Sequence, residues 1–302
     1  MIKITATAES PEQARALLDV GADTLYVGGH PFGLRLPRAL GLDEIKEITL
    51  LAHRQGKKVN VAVNGLLHNE QVEQLPDYLQ RLAEINADAV TMGDPGAILT
   101  LQELDLDLPY IYDAGTLVTS AEQIAFWIDH GAIGAVAARE LTLSELKEMQ
   151  SKLNQPVEVL VYGPTCIHQS GRPLVTNYYR YAGMSERTDK DRGLYLRDPK
   201  NPDSQYPIFE DEEGTHIFSQ DLSLMPVLQD LYDNGLHTWK LDGVLLHGEA
   251  FVQIVRLFAE AREALEAGNF VPAALCNRLQ SIQPQSRSLG TGFYLKDPKD
   301  IN

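Results

Sequence analysis

Polar side chains in this chain follow short apolar runs, at points where strands would end. Asn64 follows one such run, Arg139 and Glu140 follow another, and Lys240 and Asp242 lie near the end of a third. Carboxylates and amides can orient a ligand or move a proton, and Arg binds carboxylate or phosphate through paired hydrogen bonds. In a parallel barrel such side chains meet at one rim, so we predict a ligand site there.

The predicted ligand would be a small carboxylate or phosphate. The chain has 26 Lys and Arg against 42 Asp and Glu, a net charge of −16. This balance argues against strong autonomous nucleic-acid binding, which depends on cations neutralising phosphates. The predicted ligand-binding residues are Arg35, Asn64, Arg139, Glu140, Arg172, Lys240 and Asp242. The alternative is that the cations among them form structural ion pairs with Asp113, Glu140 or Asp242.

A nucleophile is less readily identified. Cys166 precedes His168 by two residues, which suggests a Cys–His pair, but this spacing is not diagnostic and a half-buried Cys beside a loop His is the favoured explanation. The catalytic residues are therefore unknown, with Cys166, His168, Glu140 and Asp242 as candidates. Two Cys exclude a disulfide framework and a self-contained four-thiolate iron–sulfur cluster. The chain also lacks the Walker A, G-x-S-x-G and H-E-x-x-H motifs.

A recurring pattern indicates the elements that position these residues. An apolar helical stretch ends at Gly or Asn, and a short strand-like run follows, at 21–28, 86–93, 131–138 and 235–242. With the runs between them, eight strands alternate with eight helices, which predicts an α/β fold, a (β/α)8 TIM-like barrel. An open doubly wound sheet is the alternative.

We predict one barrel domain over residues 1–302, without a dividing linker. Residues 166–221 lack a helical period and predict an irregular insertion of small strands and loops after the seventh strand, over the C-terminal face of the barrel. Residues 270–302 form a tail without clear periodicity. No apolar run is long enough for a membrane span and Met1–Ala6 is typical of a strand, so we expect a cytoplasmic protein.

The segment 157–172 resembles the signature of the collagenase-like peptidase family U32. That signature contains a Glu, a Gly, a Cys and a later Gly, matched here by Glu158, Gly163, Cys166 and Gly171. Further stretches similar to family motifs are Gly21–Gly29 with Phe32 and Arg35, Val61–Asn64, Arg139–Leu141, Asp221–Leu222, Asn234–Gly243 and Thr291–Phe293. The resemblance covers nearly the whole chain.

The resemblance implies a barrel core and a bacterial cytoplasmic protein. Family members are labelled putative proteases, yet the better understood ones are implicated in hydroxylation. Some of these members act on the wobble uridine of tRNA and require the metabolite prephenate. Several carry an iron–sulfur cluster on four Cys, and some act as pairs of unlike members. The short length resembles the smaller member of such a pair, which implies a larger homologous partner, and tRNA contact through that partner.

This chain departs from the family pattern at two positions. Pro173 stands where the signature has its second Cys, and Val244 where an Arg is usual. We therefore predict no four-Cys iron–sulfur cluster and no other cofactor, with prephenate as the metabolite that could bind. The function we expect is a component of wobble-uridine 5-hydroxylation, and a collagenase-like peptidase is the alternative.

Overall fold

The computed structural model describes residues 1–297 and 299, with residues 202 and 203 described by their backbone alone. Eight parallel strands form a closed ring, because the last of them pairs with both the first and the seventh. They are β1 (Lys3–Thr7), β2 (Thr24–Gly28), β3 (Lys58–Ala62), β4 (Ala89–Met92), β5 (Tyr110–Tyr112), β6 (Ala132–Val136), β7 (Val157–Ser170) and β11 (Thr238–Leu241). The predicted (β/α)8 barrel is confirmed, and the open sheet is excluded.

Helices surround this ring and connect its strands. They are α1 (Pro11–Asp19), α2 (Leu42–Arg54), α3 (Asn69–Glu84), α4 (Pro95–Glu103), α5 (Ala121–Asp129), α6 (Leu143–Ser151), α8 (Leu228–Asp233) and α9 (Gly248–Glu266). The recurring Gly or Asn does what the pattern predicts, since Asn86 has φ 57° and Gly235 has φ 76° directly after their helices. Side-chain caps begin others, as where the Ser10 hydroxyl accepts from the Gln13 backbone N–H at 3.1 Å.

The barrel strands bury both of their faces. One alternating set, including Ile4, Val27 and Trp239, packs with the helices in the main core. The other set faces the barrel interior, because Lys240 on β11 reaches Tyr26 on β2 across the intervening strand β1. The interior of this barrel therefore carries polar and charged side chains.

The seventh strand continues past the barrel. β7 has 14 residues, and it exchanges its partner β11 for an antiparallel partner, β10 (Gly214–Ser223), at about Gly163. Gly163 has φ 124°, and a Cβ there would stand 2.4 Å from the Asp242 carbonyl oxygen, so this crossing requires glycine. We call residues 163–223 the arm.

The arm is more regular than the sequence indicates for residues 166–221. It contains α7 (Leu174–Tyr181), β8 (Leu194–Asp198) and β9 (Asn201–Asp211), with β9 pairing antiparallel to both β8 and β10. Helix α7 has no fully buried residue, so it lacks the core-facing apolar stripe from which a helix is predicted. The prediction of small strands and loops therefore missed this helix.

The tail likewise contains regular elements. Helix α10 (Pro272–Ile282) buries only Leu275 and Leu279, too few for a clear helical period, and β12 (Leu289–Gly290) adds two residues beside β10. Across the described residues, no helix is long and apolar enough to cross a membrane.

Candidate functional site

A cleft of about 630 Å³ opens at the C-terminal ends of the barrel strands. Its wall consists of the loops that follow β2 to β6 and the first part of the arm. Its polar and titratable lining residues are Arg35, Asn64, His68, Asp94, Asp113, Thr116, Arg139, Glu140, Cys166, His168 and Gln169. Four predicted ligand-binding residues, Arg35, Asn64, Arg139 and Glu140, and both members of the predicted Cys–His pair, line this one cleft.

Arg35 is held in place by contacts from two sides. Its backbone has φ 57°, unusual for a residue with a Cβ, and the preceding Leu34 N–H donates to Asn64 Oδ1 at 2.9 Å. Its guanidinium donates to Gln169 Oε1 at 2.9 Å. It makes no ion pair with any residue that the structure describes, so its charge is available to a ligand.

Arg139 is partly engaged by the protein. A guanidinium nitrogen lies 3.5 Å from Asp242 Oδ2, and another lies 3.5 Å from the Pro164 carbonyl oxygen. Both contacts are long, and the Arg139 side chain is 21% exposed. The predicted alternative, an ion pair with Asp242, is thus present, and the remaining guanidinium donors are available to the cleft.

The carboxylates of the cleft are differently occupied. Asp94 accepts from the Ala97 N–H at 2.9 Å and caps α4, and Asp113 accepts from the Gly115 N–H at 2.9 Å. Glu140 Oε2 is buried and has no hydrogen-bond partner among the described residues. An unpaired buried acceptor is costly, so a hydrogen-bond donor that enters the cleft next to Glu140 would be stabilised there.

Lys240 is not brought to the cleft. It lies within β11, its Nζ is 3.7 Å from Glu158 Oε1, and it stands 3.5 Å from the centre of the Tyr26 ring. Its side chain is 4% exposed. Lys240 therefore forms a buried ion pair inside the barrel, with a partner that the sequence analysis did not consider.

Asp242 and Arg172 also lie away from the cleft lining. Asp242 is buried, and its Oδ1 accepts from the Val244 N–H at 3.0 Å, so it acts on the cleft only through Arg139. Arg172 is exposed on the arm and its side chain makes no hydrogen bond or ion pair within the described part of the chain. Among the tyrosines of α7, Tyr178 and Tyr181 are 63% and 91% exposed, and neither lines the cleft.

Cys166 has a different histidine beside it from the one that the sequence suggests. Its thiol donates to the backbone oxygen of His168 at 3.3 Å, while the His168 side chain is exposed. The imidazole next to the thiol belongs to His216 on β10, which is fully buried and has its Nε2 2.8 Å from Asp211 Oδ1. Sequence reasoning missed His216 and Asp211.

The charges around this thiol favour its ionised form. Burial alone would raise the pKa of Cys166, but interaction with His216 and the positive charges of Arg35 and Arg139 bring it below its ordinary value. For His216, burial opposes protonation, yet interaction with Asp211 and with the neighbouring thiol raises the pKa to about 8. Thiolate and imidazolium therefore stabilise one another.

The cysteines of this chain do not fit the four-Cys iron–sulfur cluster that several members of the family it resembles carry. Such a cluster needs four thiolates, and the sequence has two Cys. Cys166 packs against Phe209, Phe218 and Val244, whereas Cys276 on α10 packs against the main core. Within the described residues, no group of three or more Cys, His, Asp and Glu could hold a metal ion.

Comparison with known proteins identifies relatives over nearly the whole chain. The tRNA hydroxylation protein P2 of Bacillus subtilis (strain 168) is 35% identical over 98% of this chain and 98% of its own length. The tRNA hydroxylation protein P1 of the same organism is 26% identical over 89% of this chain but only 65% of its own length. Among solved structures, the U32 peptidase Mk0906 has 17% identity and a TM-score of 0.49, covering 70% of this chain and 89% of that one. The family model for peptidase family U32 matches residues 9–302, and the chain therefore belongs to peptidase family U32.

Proposed function

We propose that this protein is a component of tRNA wobble-uridine 5-hydroxylation that acts with a larger homologous partner. The observation that carries the proposal is the 35% identity to a tRNA hydroxylation protein over 98% of both chains. The cytoplasmic location predicted from the sequence agrees with a role on tRNA.

A larger partner is supported by the relatives in one organism. Bacillus subtilis has both a P2 protein of this length and a longer P1 protein, of which this chain covers 65%. The net charge of −16 disfavours strong RNA binding by this chain alone, so the partner supplies most contacts to tRNA phosphates.

The ligand of the cleft is a small carboxylate, with prephenate as the first candidate. Arg35 and Arg139 give charge-assisted hydrogen bonds to the carboxylate, and the unpaired Glu140 Oε2 accepts from a ligand hydroxyl. In this arrangement Asn64 holds the loop of Arg35 in place.

The test of the proposed function is deletion of the gene, alone and together with its larger homologue, followed by nucleoside analysis of bulk tRNA. We expect 5-hydroxyuridine-derived nucleosides to fall, and to return when the gene is supplied on a plasmid. Unchanged nucleosides in both the single and the double deletion would overturn the proposal. Affinity purification of the tagged protein from native lysate should recover the larger homologue and tRNA together.

Peptide hydrolysis is a second candidate, favoured by the position of His216 beside the Cys166 thiol, since a thiol and a base are what a cysteine peptidase requires. It predicts cleavage of denatured collagen by the purified protein that disappears in Cys166→Ala. Cleavage that survives this substitution would exclude Cys166 as its nucleophile.

A further inference from the structure

We propose that Cys166, His216 and Asp211 form a nucleophilic thiolate site, and that it reacts with an electrophile whose carboxylate is held by Arg35 and Arg139. The carboxylate part of this inference rests on the ligand class proposed for the cleft. The thiolate part is independent of it and of any role on tRNA.

The strand register brings the thiol and the imidazole together. Cys166 on β7 lies opposite Phe218 on β10, and His216 lies two residues before Phe218, on the same face of its strand. Ile217, the residue before Phe218, pairs with His168. The residue Ile167 between His168 and Cys166 therefore has no partner on β10 and forms a bulge in β7. The bulge keeps Cys166 on the face of the sheet that carries His216.

The imidazole is held from one side, and its second nitrogen is free of partners among the described residues. Its Nε2 is engaged by Asp211 at 2.8 Å, and its ring stacks on Phe209 with 5.0 Å between ring centres. Its other nitrogen, Nδ1, is buried and has no hydrogen-bond partner among the described residues. An aspartate on one nitrogen and a free second nitrogen are the features that let a histidine accept the proton of a neighbouring nucleophile.

Access and charge come from the cleft. Cys166 is only half-buried and lines the cleft together with Arg35 and Arg139. The charged groups that act on the pair are these two cations, Asp211, and Glu213, which interacts with His216. A carboxylate bound by the two Arg would therefore lie in the same enclosure as the sulfur.

The reaction balances without a further reagent. The thiol proton moves to His216 Nδ1, and the sulfur electron pair forms a bond to an electron-poor carbon of the ligand. If that carbon bears a leaving group, the bond to the leaving group breaks and its electron pair departs with it. If it is the β-carbon of an alkene conjugated to a carbonyl, the alkene π pair forms the C=C bond of an enolate, the carbonyl π pair moves onto the carbonyl oxygen, and the proton on His216 Nδ1 returns to the enolate.

The experiment is alkylation of the purified full chain, followed by peptide mass spectrometry. Iodoacetamide is the neutral probe and iodoacetate the anionic one, and in both the sulfur displaces iodide. Cys276 is an internal control, because burial raises its pKa above the ordinary value. At pH 7 we expect Cys166 to react with iodoacetamide at least about fivefold faster than Cys276, since the thiolate is the reactive form.

The pH profile tests the role of the histidine. The rate at Cys166 should reach its midpoint below the ordinary thiol value of about 8.5. His216→Gln should move the midpoint up to or above that value, and Asp211→Asn should move it part of the way. If His216→Gln does not fold, as judged by circular dichroism, Asp211→Asn decides, because Asp211 is 41% exposed. A midpoint at or above 8.5 in the unmodified protein would overturn the thiolate site.

The two probes separate the thiolate from the carboxylate site. The ratio of the iodoacetate rate to the iodoacetamide rate should be higher at Cys166 than at free cysteine. Arg35→Gln or Arg139→Gln should bring this ratio down to that of free cysteine. Arg180→Gln is the matched control, since Arg180 is an exposed residue of α7 outside the cleft. A lowered midpoint without anion preference would reject the carboxylate part alone, and neither result depends on the nucleosides of tRNA.

Discussion

The barrel interior and the cleft above it both hold cations, and they use them differently. Inside the barrel, Lys240 is 4% exposed and has both a carboxylate, Glu158, and an aromatic ring as neighbours. In the cleft, Arg35 donates to an amide oxygen and Arg139 has long contacts to Asp242 and a carbonyl. Of Lys240, Arg35 and Arg139, the two arginines line the cleft, where a ligand can reach their donors.

This difference shows how the kind of cation, an ammonium or a guanidinium, is matched to its burial. A buried ammonium must be fully compensated by the protein, because an unpaired charge away from water is very costly. A guanidinium at a half-exposed rim keeps some hydration, and its fork of five donors can serve the protein and a ligand together. The comparison therefore predicts large stability effects inside the barrel and binding effects in the cleft.

The largest effect is expected from Lys240→Met. The substitution keeps the length of the side chain but leaves Glu158 buried without its cation, so the free energy of unfolding should fall by about 3–5 kcal/mol. Urea denaturation followed by circular dichroism measures it. The double variant Lys240→Met/Glu158→Gln should recover part of the loss. A loss below about 0.5 kcal/mol in the single variant would contradict a structural role for the pair.

Arg139→Ala should affect binding more than stability. A hydrogen bond to a charged group contributes about 1.5–3 kcal/mol, so the affinity for prephenate should fall by about 10- to 100-fold. Isothermal titration calorimetry measures the affinity, and thermal unfolding monitors the fold. If the unmodified protein gives no heat with prephenate or a related dicarboxylate, the cleft does not bind this class of ligand.

Asn64→Ala should have a smaller effect on both properties. It removes the acceptor for the Leu34 N–H, which should lower the free energy of unfolding by about 1 kcal/mol. Because the same loop carries Arg35 at φ 57°, the affinity for the carboxylate should also fall. An unchanged affinity together with the lower stability would show that Arg35 is positioned by Gln169 alone.

Arg172→Ala is expected to change neither property. Its side chain is exposed on the arm and lies outside the cleft, so stability should stay within about 0.5 kcal/mol and affinity should not change. A loss of affinity as large as that of Arg139→Ala would show that the arm closes over bound ligand and would place Arg172 in the site.

The sequence predicts the barrel and much of the cleft, because both depend on local patterns. Helix ends at Gly or Asn, each followed by a buried strand, recur four times, and the strand-like runs between these copies bring the count to eight. Residues in the loops that follow strands, such as Asn64 after β3 and Glu140 after β6, reach the cleft. Lys240 does not, since it is a strand residue and strand alternation directs it into the barrel interior.

Long-range pairing explains what the sequence does not reveal. His216 meets Cys166 only because β10 returns antiparallel to β7, in a register set by the bulge at Ile167. Neither the 50-residue separation nor the bulge leaves a periodic signal, whereas His168, two residues away, is the obvious but incorrect neighbour. The short helix α7 is missed for a different reason, since none of its residues is fully buried and a core-facing apolar pattern is therefore weak.

The uninterrupted course of β7 has a consequence for how this molecule can vary. The same 14-residue strand forms one barrel strand in its first half and carries Cys166 in the arm in its second half. A deletion where the arm begins in β7 would therefore disrupt the closed barrel, whereas a deletion in the turn between β8 and β9 would leave all eight barrel strands intact. We therefore expect insertions and deletions to be tolerated in the β8–β9 turn and not in β7 near Gly163.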